Sequence, residues 1–300
     1  MTFHRRMAFA GSWYPRSAAE CDALLRELGG VGYASPAAPG AAAPARFGIA
    51  PHAGWVYSGR LAAQVFECLV PDPALELVVV LGGHLGRRDA VVAMVQGTWQ
   101  TPFGDFAIYE GFTGELAAQP RVVIEDEARH APDNSVELQL PLARRRYPRA
   151  SLLPLRVPPS ELAIGLGRAL GGHLRRSGLR WVLVASTDLT HYGPNYDFEP
   201  QGRGPAASQW MTRNDQAFID AVRSGSAEQV LSTANACRNA CSAGAVAALC
   251  ACANSCADAE RSAGEAATPR RFELLEHTSS AEAPPHSTVN VVGYMGAVLA

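Results

Sequence analysis

The sequence predicts a three-layer α/β/α fold around a central sheet that is mostly parallel or mixed. Three observations carry this. Continuous β-branched runs such as Leu77-Val-Val-Val-Leu81 suit strands covered on both faces. Stretches with apolar residues at helical spacing separate those runs. Strand alternating with helix is, in turn, the pattern of helices layered on a sheet.

Taken in order, Arg46-Phe-Gly-Ile-Ala50 reads as a short buried strand. Tyr57 to Leu69 reads as a helix, because Leu61, Val65 and Leu69 share one face. Leu77 to Leu81 is the second strand. Val136 to Arg146 reads as a helix through Val136, Leu140 and Ala143, and Ser151-Leu-Leu-Pro-Leu155 as a third strand. Glu161 to Leu174 follows as a helix and Arg180-Trp-Val-Leu-Val-Ala185 as a strand. Helices are expected at Ser208 to Arg223, Ala227 to Asn235 and Cys241 to Cys252. Two strands, Phe272 to Leu275 and Val289 to Ala300, come next and can make the sheet mixed. Ser35 to Ala45 and Ala257 to Pro269 read as surface linkers. Neither is flanked by anything resembling a separate unit, so one domain over residues 1–300 is expected.

The chain has 300 residues, 48% of them apolar and 18% charged, which allows a large core. A net charge of -2 gives no electrostatic reason to expect nucleic acid or an anionic membrane as partner. No apolar run approaches the roughly 18 residues of a membrane span. The apolar stretch near the N-terminus is cut short by Gly11-Ser-Trp-Tyr-Pro15, so no signal peptide is read and a cytoplasmic location is expected. Seven cysteines, an odd number, fit thiols better than a disulfide framework.

Chemistry is expected at the strand ends. In open α/β sheets, ligands bind outside the carboxyl ends of the strands. Here three strands run into a histidine: Pro51-His52-Ala53-Gly54, Gly82-Gly83-His84, and Ser186-Thr-Asp-Leu-Thr-His191. If those strands are parallel neighbours, three imidazoles reach one crevice. A lone histidine is more often structural, but three in equivalent positions beside turn chemistry point to a functional site. His4, His130, His173, His277 and His286 lack that setting. Two imidazoles need one further group for a facial metal set, and Asp188, Glu137, Asp133 and Cys241 are the candidates.

Cys237, Cys241, Cys250, Cys252 and Cys256 lack the paired spacing of a zinc ribbon or a ferredoxin run. Small core residues account for Cys250, Cys252 and Cys256. Cys241 differs, because it opens an expected helix after the polar Arg238-Asn239 turn, and a helix N-terminus favours thiolate. Cys237 is its competitor within the chain. Trp13, Tyr14, Trp55 and Tyr57 are candidates either for an aromatic rim on a substrate cavity or for packing around its mouth.

At this point the motifs resemble a known family. Ala10-Gly-Ser-Trp-Tyr-Pro15, Pro51-His-Ala-Gly-Trp-Val-Tyr-Ser-Gly59, Gly82-Gly-His84, Ser135-Val-Glu-Leu-Gln-Leu-Pro141, Ser186-Thr-Asp-Leu-Thr-His-Tyr-Gly193 and Val291-Val-Gly-Tyr294 are similar to those of the Memo family. Its bacterial and archaeal members are often labelled AmmeMemoRadiSam system protein B. The resemblance runs in order along nearly the whole chain. It implies a LigB-like fold, that of the class III extradiol dioxygenases, which hold non-haem iron(II) with two histidines and a glutamate. In the Memo family the matching set is two histidines and a cysteine. Carried over, the ligands would be His52, His84 and Cys241. His191 would match the acid/base histidine, with Asp188 at the companion acidic position.

Two departures stand out. Asp133-Asn134-Ser135 has no histidine where the family usually has one before Ser-(apolar)-Glu, and Gly82-Gly83-His84 replaces a longer Gly-Pro-(Ser/Asn)-His. The resemblance implies an iron(II)-dependent, dioxygenase-like oxidoreductase taking dioxygen and a small-molecule substrate, with copper or zinc as alternative metals. Trp13, Tyr14, Trp55, Tyr57 and Glu137 are expected at the substrate. The competing readings are a non-catalytic metal- or peptide-binding protein, and a metal hydrolase with Glu137 or His191 as base. The oligomeric state is left open.

Overall fold

A computed structural model describes residues 3–29, 44–262, 271–283 and 286–300. Most of the expected linker at 35–45 lies outside the described residues. So do residues 263–269 of the second.

The chain begins with β1 (His4–Arg5) and α1 (Ala18–Glu27). Ser17 caps α1 in a reciprocal bond with Glu20, a capping box at the helix start. β2 (Phe47–Ala50), α2 (Trp55–Cys68) and β3 (Leu77–Gly82) follow the expected pattern. A group of short pieces comes next: β4 (Val91–Ala93), β5 (Thr98–Trp99), β6 (Phe106–Ala107), α3 (Thr113–Ala117) and β7 (Val122–Ile124). The single helix expected at 136–146 is two, α4 (Asn134–Glu137) and α5 (Leu140–Arg146), with Pro141 in the first turn of the second. Proline lacks the N–H a continuous helix would use there.

β8 (Ser151–Arg156), α6 (Glu161–Ser177) and β9 (Trp181–Ser186) extend the α/β alternation. β10 (His191–Tyr192), α7 (Pro205–Arg223), α8 (Ala227–Cys237) and α9 (Ala243–Ser262) precede β11 (Phe272–Ser279) and β12 (Val291–Leu299). Two expectations are corrected. Ala257 to Ser262 are helix and not linker, since this alanine-rich charged stretch simply extends α9. Cys241 lies in the turn before α9 and does not open the helix.

The large sheet has nine described strands, ordered β10-β12-β2-β9-β3-β8-β4-β7, with β11 on β12. Its middle is parallel: β2 pairs with β9, β9 with β3, and β3 with β8. β12 runs antiparallel to β2 and to β11, and β4 antiparallel to β8, so the sheet is mixed. The central strands are buried on both faces, which is why they read as unbroken apolar runs. Pro154 sits within β8, opposite Val80. Its neighbours in alternate register, Ser151 and Val157, donate to the β3 side through Glu76 and Gly82. The missing N–H of Pro154 therefore points to the other edge, where β4 reaches only Leu155 and Arg156.

The core falls into two large parts divided by the sheet. One gathers Leu77, Val79, Leu81, α6 and α9; the other gathers Val78, Val80, α2 and α5. α6 and α9 approach closely at glycine. A Cβ on Gly167 would strike the Ala248 carbonyl, and one on Gly171 would come within 2.8 Å of the Cys252 carbonyl. Cys250, Cys252 and Cys256 are buried in this helix layer.

Candidate metal centre

β2, β9 and β3 are adjacent and parallel, so their carboxyl ends open side by side. This brings His52, His84 and the Ser186–His191 loop together, as the strand-end pattern predicts. Cys241 arrives from the opposite layer. The turn before α9 is tied to the β9 loop: the Cys241 N–H donates to the Asp188 carbonyl at 3.2 Å, and the Asp188 N–H donates to Cys241 Sγ at 3.2 Å. The Ser242 N–H donates to Thr187 Oγ1 at 3.1 Å.

His52 is fully buried and held at three points. Its N–H donates to Asp188 Oδ1 at 2.7 Å. Its Nδ1 lies 2.9 Å from Ser186 Oγ, and its Nε2 lies 3.1 Å from Cys241 Sγ. Gln139 steadies this arrangement by donating to Ser186 Oγ at 2.9 Å and to the Pro51 carbonyl at 2.8 Å. With Nδ1 directed at the serine, Nε2 faces the sulfur, and the polar partner on the far nitrogen fixes the ring as it does in metal-binding histidines.

His84 is exposed at the mouth of the site. Gly83 makes the turn that brings it there, with φ of +112°, and a Cβ on that residue would lie 2.9 Å from Arg156 Cβ. The Gly83 N–H donates to Ser135 Oγ at 2.6 Å. His84 Nε2 is 3.1 Å from Asn134 Oδ1, while Asn134 Nδ2 donates to the His52 carbonyl at 3.2 Å. Asn134 therefore ties both histidine turns together. The two rings stand edge-on, with centroids 4.9 Å apart.

His191 is half-buried and leans on Tyr196, with ring centroids 4.8 Å apart. Its Nε2 has no hydrogen-bond partner among the described residues and lies 3.9 Å from Asp188 Oδ2. The Asp188 carboxylate is buried and stands 4.0 Å from His52 Nε2.

Electrostatics follow from this crowding. Burial opposes charge on Cys241, yet the imidazoles of His52, His191 and His84 outweigh it and hold the thiol well below its ordinary range. Burial likewise disfavours the charged forms of His52 and His191, but Cys241 and Asp188 together prevail and raise both histidines. Burial pushes the Asp188 carboxyl up.

One ligand atom each from His52, His84 and Cys241 lies within 4.8 Å of the others. Two imidazoles and a thiolate in that space fit a borderline or soft divalent metal such as iron, copper or zinc. Of these three residues, His84 lines a cavity of about 570 Å3. Its walls include Trp13, Tyr57, His84, Asn134, Asp188 and His191.

Three residues expected at the substrate stand behind that wall. Tyr14 and Trp55 are buried, and Trp55 Nε1 donates to the Leu138 carbonyl at 3.3 Å. Glu137 is buried too, and its Oε1 accepts from the Phe9 N–H at 2.8 Å and from the Tyr14 hydroxyl at 3.0 Å. Its carboxylate ties the N-terminal segment to α4 and lines none of the cavity. Asp133 caps α4 by accepting from the Val136 N–H, and it also accepts from the Ser135 hydroxyl. Sequence reasoning overlooked Ser186 and Gln139, which hold His52, and Tyr196 and Tyr294, which line the cavity. Ser186, Gln139 and Tyr294 lay inside motifs already noticed, but polar or aromatic residues there could equally have been packing.

A family model described as Memo-like protein matches residues 5–298. The chain is 29% identical to a MEMO1 family protein of Pyrococcus horikoshii, over 70% of this chain and 73% of that protein. It is 32% identical to one from Methanothermobacter thermautotrophicus, over 63% and 70%. A MEMO1 family protein of Pyrococcus abyssi is 26% identical over 98% of this chain and 99% of its own length. Among solved structures, an uncharacterized protein of Escherichia coli K12 aligns with a TM-score of 0.46 and 13% identity, covering 82% of this chain and 98% of that one.

Proposed function

The chain belongs to the family of Memo-like proteins, and on that premise we propose that it is a metal-binding oxidoreductase, dependent on iron(II), that acts on a small organic molecule. The carrying observation is the convergence of His52, His84 and Cys241 beside a cavity of about 570 Å3 that His191 also lines. His52, His84 and Cys241 would hold the metal. Bound there, iron(II) would supply redox chemistry and open positions for dioxygen and substrate.

The protein's own groups divide the remaining work. Ser186 and Gln139 orient His52, and Asn134 orients His84 against the His52 carbonyl. His191 moves a proton at Nε2, an atom with no hydrogen-bond partner of its own among the described residues. Asp188 uses Oδ1 to hold the His52 backbone and leaves Oδ2 toward His191, where it stabilises the imidazolium. Trp13 and Tyr57, both 40% exposed, give the substrate apolar faces to lie on. A hydrolytic role for Glu137 is disfavoured, because it is buried and lines none of the cavity, with its Oε1 accepting from the Phe9 N–H and the Tyr14 hydroxyl.

The test is anaerobic reconstitution with iron(II), followed by oxygen uptake in the presence of catechol-like diols. Expected are one tightly held iron, its loss in Cys241→Ser, and turnover that His191→Ala abolishes while the iron stays. Iron retained without turnover on any aromatic diol would leave a metal-binding protein and overturn the dioxygenase-like reading.

A further inference from the structure

Cys241 Sγ belongs to two clusters of ligand atoms. The first is His52, His84 and Cys241. The second is Asp188, His191 and Cys241, and in it too one ligand atom from each residue lies within 4.8 Å of the others. We propose that Asp188, His191 and Cys241 form a second cation site, with the Cys241 sulfur bridging to the first. The proposal rests on the reading that His52, His84 and Cys241 hold the first metal.

Three observations support it. The Nε2 of His191 is buried and without a hydrogen-bond partner among the described residues, an unusual state for such an atom. Asp188 spends Oδ1 on the His52 N–H, and its Oδ2 stands 3.9 Å from that Nε2. A hydrogen bond would have closed that distance to about 2.8 Å. Zinc bonds of about 2.0–2.3 Å instead allow two ligand atoms on one ion to stand up to roughly 4.3 Å apart. The separation of 3.9 Å falls within that reach.

The third observation is access. A separate cavity of about 370 Å3 touches His191 and Cys241 but neither His52 nor His84. Leu189, Tyr196, Phe198 and Arg238 help to line it. An ion can therefore reach the second cluster without passing through the cavity beside His84.

Mixed nitrogen, oxygen and sulfur ligands suit a borderline cation, and zinc(II) is the probe of choice. Two cations sharing one sulfur repel each other, so the second binds more weakly than the first. A cation there also takes the lone pair with which His191 would move protons. Filling the second site switches that role off.

The experiment titrates the metal-free protein with zinc(II) against a competing chelator and counts bound zinc by elemental analysis. Two equivalents are expected, the second at least about 10-fold weaker. His191→Ala and, independently, Asp188→Asn should each lose the weak equivalent and keep the tight one. Loading with two equivalents of cobalt(II) should give a magnetic moment below that of two isolated ions, because they share a thiolate. Saturation of the parent protein at one equivalent overturns the proposal. So does a second equivalent that survives in both variants. Absence of any tight equivalent would instead overturn the reading of the first site.

Discussion

At the scale of single residues, His52 and His84 are each held by a polar side chain placed beside the ring. Ser186 is the clearest case, since it faces His52 Nδ1 at 2.9 Å and is itself held by Gln139. Removing such an orienting group typically weakens metal binding about 10–100-fold. Ser186→Ala is expected to lower iron(II) or zinc(II) affinity by that factor with the circular dichroism spectrum unchanged; unaltered affinity would mean that packing alone orients His52. His52, His84, His191 and Asp188 were legible in the sequence because each closely follows the carboxyl end of a strand. Glu137 was misleading. Its motif marked it as polar and close to the site, but only the fold reveals that the carboxylate turns to Phe9 and Tyr14. Likewise, nothing in the spacing of Trp55 and Tyr57 says that the first is buried and the second half-open.

At the scale of elements, the long apolar strands and amphipathic helices were readable, and the short pieces were not. β4, β5, β6, β7 and β10 have two or three residues each, too few for a period to register. The start of α9 was read two residues early, because the cysteine-alanine composition continues through the turn. Packing between α6 and α9 gives a sharp test. Gly167 lies where α9 passes, whereas Gly165 is exposed and a Cβ there would have only Gln119 Oε1, at 3.7 Å, for a neighbour. Gly167→Ala is expected to destabilise by about 1–3 kcal/mol through overpacking. Gly165→Ala should stabilise by about 0.5–1 kcal/mol, since alanine favours helix. Denaturant unfolding of the two variants measures both signs, and equal effects would mean that α6 slides to make room.

At the scale of the whole molecule, stability should depend on pH through a half-buried carboxyl outside the candidate metal centre. Glu67, on α2, is pushed up to about 7 by burial despite the nearby Arg146 and Arg145, against an ordinary 4.5. The folded chain therefore keeps this proton where the unfolded chain has lost it. Folding takes up a proton between about pH 4.5 and 7, so this residue's contribution to stability falls as pH rises through that window. Glu67→Gln should match the parent below about pH 4.5, exceed it increasingly through about pH 7, and keep a constant advantage above that. Thermal melts at several pH values check this, and a difference constant with pH would count against it.

The strand order has one more consequence. β2 is emitted early by the ribosome, yet its partners are β9 and β12, more than a hundred residues later. Until those are made, an apolar strand has no neighbour, and histidine and thiolate have not met. Such long-range pairing is slow and leaves nascent chains prone to stick to one another. The three proposed ligands therefore cannot come together until Cys241 has been made. On the proposed function, metal loading belongs after that point, when β9 can pair with β2 and β3.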